Sequence, residues 1–226
     1  MGNDGVSRTH ATVQNKSINT KKALHFRDAR AYIMDQVYTM FIQTESTPNP
    51  DALKFLPSRA VMAEGTLDMR TVADAVASPL AQQLFDVMGV EGVFFAPDFI
   101  AITKSPALDW NVVKPHVQAR IMDFYLSGQP LLIQDNAAND DRGNISADKL
   151  ADPIVQQILA VIEEHIRPGV ARDGGDVKFV DFDEGVVYLE MRGACAGCPA
   201  AGRTLKSGIE KILQTYVPEV QEVLSI

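Results

Sequence analysis

Between Gly128 and Lys149 the chain loses its apolar pattern, running through Gln134, Asp135, Asn136, Asn139, Asp140, Asp141, Arg142, Gly143 and Asn144 with only Leu131 to Ile133 as interruption. A stretch that polar has nothing to bury, so the chain is divided into two segments that must each build a core. At 226 residues and 46% hydrophobic it has the length and the apolar content to do so. The expectation is two small domains, residues 40–130 and 151–226, joined by a flexible linker over residues 131–150.

Residues 1–39 carry Arg8, Lys16, Lys21, Lys22, Arg27 and Arg30 against Asp4, Asp28 and Asp35, with little apolar periodicity before Ala29. They read as a disordered leader or a mis-assigned start, translation then beginning at Met40. The basic, Ser/Thr-containing composition resembles an organelle transit peptide, and no apolar segment of a secretory signal is present. The compartment expected is therefore a bacterial cytoplasm, or the mitochondrial matrix if the leader is a transit peptide.

From Phe41 the pattern is regular. Residues 41–46 and 52–56 alternate as strands around Pro48-Asn49-Pro50-Asp51, dense turn chemistry that predicts a hairpin. Ser78-Pro79 opens a helix in the order of cap residue then proline, with Leu80, Leu84, Phe85 and Met88 on one face and Gly89 closing it. A second hairpin follows over residues 90–96 and 99–104, then a helix from Asp109 to Leu126 that stops at Gly128. In the second segment Asp152-Pro153 starts a helix whose stripe, Ile154, Ile158, Leu159, Ile162 and Ile166, ends before Pro168. Two strands, residues 177–182 and 186–191, flank Asp183-Glu184-Gly185, and a helix from Pro199 to about Tyr216 leads to a short strand from Val220. The fold class is α+β: each domain is a short mixed or antiparallel sheet packed with helices.

Composition bounds the partners. A net charge of −8 and a pI near 5.0 leave no basic face for phosphates, so no nucleic acid partner is expected and proteins are. No apolar run approaches the ~18 residues of a membrane span, and residues 93–102 are broken by Pro97 and Asp98, so no membrane partner is expected.

Cys195 and Cys198 are the only cysteines, placed together as Gly193-Ala194-Cys195-Ala196-Gly197-Cys198-Pro199 between a strand and a helix. Two cysteines separated by two residues can aim both sulfurs at one centre, and the glycines accept turns that a Cβ resists. The following helix start favours thiolate, the metal-binding form, with Arg192, Arg203 and Lys206 nearby in sequence. Two thiolates are half of the usual four for zinc or an iron-sulfur cluster. A thioredoxin-like dithiol-disulfide oxidoreductase uses the same motif placement, but only 28 residues follow Cys198, too few for the rest of that domain. That reading stays an alternative, as does a structural zinc-bridged dimer, beside a cluster shared across a dimer, in which two clamps facing each other across a twofold axis complete four thiolates. His116 and His165 have no ligand spacing to the cysteines.

Three further stretches, Asp173-Gly174-Gly175-Asp176-Val177, Thr204-Leu205-Lys206-Ser207-Gly208-Ile209-Glu210 and Val217-Pro218-Glu219-Val220, join the cysteine loop in a pattern that resembles the carboxy-terminal domain of NifU-like (Nfu-type) iron-sulfur cluster carriers, over residues 153–226. Residues 41–132, with Gln43-Thr44-Glu45-Ser46-Thr47-Pro48-Asn49-Pro50, also look like the amino-terminal domain of the mitochondrial and alphaproteobacterial members. The resemblance implies a homodimer that bridges one [4Fe-4S] cluster through Cys195 and Cys198 of each chain. It further implies an iron-sulfur assembly scaffold as donor, apo iron-sulfur enzymes as acceptors, and no turnover of its own. One departure is Ala200-Ala201, where family members often carry serines. The Asp173-Gly174-Gly175-Asp176 segment needs no role beyond a tight turn before a strand.

Overall fold

The computed structural model describes residues 41–133, 145–197 and 199–226; the leader, residues 134–144 of the linker and Cys198 lie outside the described residues. Five antiparallel strands form the first sheet: β1 (Gln43–Ser46), β2 (Ala52–Leu56), β3 (Leu67–Met69), β4 (Val90–Phe95) and β5 (Ile100–Lys104), in the order β1-β2-β5-β4-β3. Helices α1 (Pro79–Phe85) and α2 (Trp110–Ser127) cover one face. The Ser78 hydroxyl accepts from the Ala81 N–H and the Asp109 carboxylate from the Asn111 N–H, so each helix starts on a side-chain cap. Gly128, at φ +67°, ends α2.

Alternation along the strands separates two faces. Phe55, Met69, Val93, Phe95, Ile100 and Ile102 turn to the helices and share a core with Leu80, Leu84, Val117 and Ile121. Phe94, Ala96, Phe99 and Ala101 turn the other way and are also buried. A sheet buried on both faces is packed on something besides its own helices.

That second partner is the carboxy-terminal half. Its sheet runs β6 (Gly175–Asp183), β7 (Val186–Gly193), β8 (Glu222–Ser225), with β6 and β7 antiparallel and β7 and β8 parallel. The β6–β7 turn is Glu184-Gly185, both at positive φ, the backbone that matches the twist of a two-residue hairpin. A parallel pair needs a crossover, supplied by α6 (Pro199–Tyr216), while α3 (Ala147–Leu150), α4 (Pro153–Val161) and α5 (Arg167–Arg172) precede β6. Ile158, Ile162, Ile166, Val177, Phe179, Leu189, Ile209 and Leu213 form the core.

Two details depart from the sequence expectation. Helix α1 ends at Phe85, so Val87 is buried and Met88 is 73% exposed rather than on the inner face. The helical path also continues past Pro168. Residues Ile162–Ile166 form a π-helical turn in which the Arg167 N–H donates to the Ile162 carbonyl, and proline, with no N–H to give, opens α5 just after it. No helix among the described residues is long and apolar enough to cross a membrane.

Candidate functional site

The cysteine loop is held where β6 begins and β7 ends. Gly175 pairs with Gly193, the Ala194 N–H donates to the Gly174 carbonyl at 3.1 Å, and the Ala196 N–H donates to the Gly193 carbonyl at 3.0 Å. Gly193 and Gly197 both lie at positive φ, +61° and +68°. These bonds close a tight turn around Cys195, and glycine at its two ends removes the strain that a Cβ would bring.

Cys195 is 6% exposed and belongs to the carboxy-terminal core, packed with Val177, Leu189 and Ile209 among others. A Cβ placed on Gly175 would stand 2.7 Å from its Sγ. The thiol thus occupies space that only glycine leaves open. Cys198, the second sequence candidate, and the side chains of residues 199–203, Arg203 included, lie outside what is described; α6 begins at Pro199. Among the described residues no group of three or more His, Cys, Asp or Glu is placed to hold a metal ion.

The neighbouring charges sort differently from their order in sequence. The Arg192 side chain is buried and lies 3.6 Å from Glu190. Lys206, part-buried, pairs with the exposed Glu222 of β8 at 3.8 Å. His165 stacks on Tyr216 with ring centroids 4.3 Å apart, and His116 is exposed.

Sequence reasoning missed the residues that grip this loop from the amino-terminal sheet. The Asn49 amide, 7% exposed, donates through Nδ2 to the Ala194 carbonyl at 3.1 Å. The Asp68 carboxylate accepts from the Gly193 N–H at 3.3 Å. Asp176, which seemed only part of a turn, is 3% exposed and accepts from Thr66 Oγ1 at 2.7 Å and from the Val177 N–H at 2.8 Å. It also lies 3.0 Å from the Arg167 guanidinium as an ion pair. The one signal available was Leu67-Asp68-Met69, a three-residue alternation with a carboxylate at its centre.

Residues 42–128 match the family described as scaffold protein Nfu/NifU N terminal, and residues 158–224 match the NifU-like domain. A human relative, the NFU1 iron-sulfur cluster scaffold homolog, mitochondrial, is 45% identical over 185 residues, covering 81% of this chain and 71% of that protein. NifU-like protein 4, mitochondrial, of Arabidopsis thaliana is 46% identical over 194 residues, covering 85% of this chain and 68% of its own. With both domain families in this order, and relatives of this identity aligned over more than two thirds of their length, the chain belongs to the Nfu family of NifU-like proteins.

Proposed function

We propose that the protein carries an iron-sulfur cluster as cargo: a [4Fe-4S] cluster bridged between two protomers by Cys195 and Cys198 of each chain, taken from an assembly scaffold and delivered to apo iron-sulfur enzymes. The observation that carries this reading is the setting of Cys195, in a loop bounded by two positive-φ glycines between the end of β7 and the start of α6. A loop that can turn on glycines can withdraw its sulfur into the core, as here, and present it outward. The human relative is by name an iron-sulfur cluster scaffold, which supports the same reading. Both relatives reported above carry mitochondrial names, which agrees with a mitochondrial matrix location and with the organelle reading of the basic leader.

Delivery is ligand exchange. An acceptor thiolate bonds an iron at the edge of the shared cluster, the bond from that iron to a cysteine Sγ breaks, and the electron pair stays on the sulfur, which takes a proton from solvent. No oxidation state changes. Loss of one pair of ligands also removes what holds the two protomers together. Anaerobic reconstitution with iron and sulfide tests this: the reading expects a brown, oxygen-labile dimer that neither Cys195→Ala nor Cys198→Ala can form. A colourless monomer with disulfide reductase activity would overturn it in favour of a dithiol oxidoreductase.

A further inference from the structure

Strand register builds a single row across the outer face of the first sheet. Asp68 pairs with Phe94, Phe94 with Ala101, Ala101 with Lys54 and Lys54 with Glu45, so these five side chains share one face. The row lies against the carboxy-terminal half at the segments that frame the cysteine loop. A Cβ on Gly193 would come 2.8 Å from Phe94 Cγ, and one on Gly174 would come 3.1 Å from Lys54 Cγ and 3.0 Å from Thr47 Cγ2. Glycine at these two positions lets the sheet approach the loop backbone directly.

Polar bonds fix the approach. Lys54 Nζ reaches the Arg172 carbonyl at 3.3 Å, Arg70 Nη2 the Met191 carbonyl at 2.7 Å, and Thr66 bonds Asp176. Asn49 is set for its bond before it meets Ala194. Its Oδ1 accepts from the Asp51 N–H at 3.0 Å and its own N–H donates to Thr47 Oγ1 at 3.2 Å, so the turn fixes the side chain that reaches Ala194.

We propose that the amino-terminal sheet is a clamp on the cysteine loop, with Asn49 and Asp68 as positioning residues that hold Ala194 and Gly193 so that the Cys195 thiol stays turned into the core. The two gripped groups are the carbonyl and the N–H of the residues immediately before Cys195. Turning that thiol outward rotates the same peptide units and breaks both bonds. Docking and thiol burial are therefore coupled, and by reciprocity whatever draws Cys195 outward loosens the sheet from the loop by the same factor. Presenting Cys195 to cargo would then require undocking, a consequence that rests on the carrier reading; the clamp itself does not.

The apo full-length chain carrying Cys198→Ala has Cys195 as its sole thiol, so iodoacetamide alkylation reports that residue without any cluster. Adding Asn49→Ala should raise the alkylation rate about five-fold, the worth of one buried hydrogen bond, and should increase the radius of gyration measured by X-ray scattering. Arg70→Ala, at a half-exposed side chain whose loss leaves both cores intact, should act in the same direction and keeps the test open if the Asn49 variant folds poorly. Alkylation within two-fold of the parent in both variants would overturn the clamp, and so would a parent radius of gyration already that of separated halves. Failure of cluster reconstitution would leave these rates unchanged, so the two readings fall separately.

Discussion

The Sγ of Cys195 stands where a side chain on residue 175 would have to go: a Cβ on Gly175 would lie 2.7 Å from the sulfur and 2.5 Å from the Arg192 carbonyl. The glycine is thus a packing requirement set by the thiol and by β7, independent of any backbone angle. Gly175→Ala must push β6 away from β7 or displace Cys195. We expect a loss of about 1–3 kcal/mol, the usual cost of overpacking, read from urea unfolding at unchanged slope.

Asp176 gathers three partners on one carboxylate, meeting Thr66, Arg167 and the Val177 N–H while 3% exposed. Asp176→Ala takes from Arg167 the buried one of its two carboxylates, the exposed Glu163 at 2.6 Å remaining. The expected loss is about 2 kcal/mol, below that of a fully buried pair because the Arg167 side chain keeps some water. Thermal unfolding of the variant checks this, and Thr66→Val should cost less because only one bond is removed.

Asp74 gives a pH dependence with a defined sign. The Thr71 hydroxyl, with the Arg70 and Thr71 N–H groups, holds its carboxylate below the usual value of 3.8. A depressed folded-state value means that the stabilisation is complete above the unfolded carboxyl's pKa and is lost as pH falls through the lower, folded one. Asp74→Asn should be less stable than the parent at pH 6, and the difference should shrink as pH falls past the unfolded carboxyl's value, as followed by urea midpoints across that range.

Lys206 provides a contrast. Its side chain is part-buried, but the pair with the exposed Glu222 is long at 3.8 Å, so Lys206→Ala should change stability by less than about 1 kcal/mol. Cluster content per dimer should also match the parent, as measured by iron and sulfide analysis; a large drop would place Lys206 at the cluster after all.

Local signals in the sequence were enough to place most of this fold. The caps at Ser78, Asp109 and Asp152, the hairpin turn at Glu184-Gly185 and the glycine-bounded cysteine loop are short-range features, and the structure has each in place. Strand β3 is three residues long, too short for periodicity to register. The passage through Pro168 depends on a π-helical turn that no spacing rule anticipates. Least legible was the grip of Asn49 on Ala194 and of Asp68 on Gly193, because these partners are separated by 145 and 125 residues and meet only through the packing of the two halves. In the Pro48-Asn49-Pro50 turn both prolines stay exposed and only Asn49 between them is buried.

The central claim is that two chains complete one site, and native mass spectrometry of the anaerobically reconstituted protein measures it most directly. The predicted spectrum is a dimer carrying a single [4Fe-4S] cluster, falling to apo monomers when either Cys195 or Cys198 is replaced by alanine. A monomer that keeps a whole cluster, or a dimer of unchanged mass and abundance without iron, would contradict it.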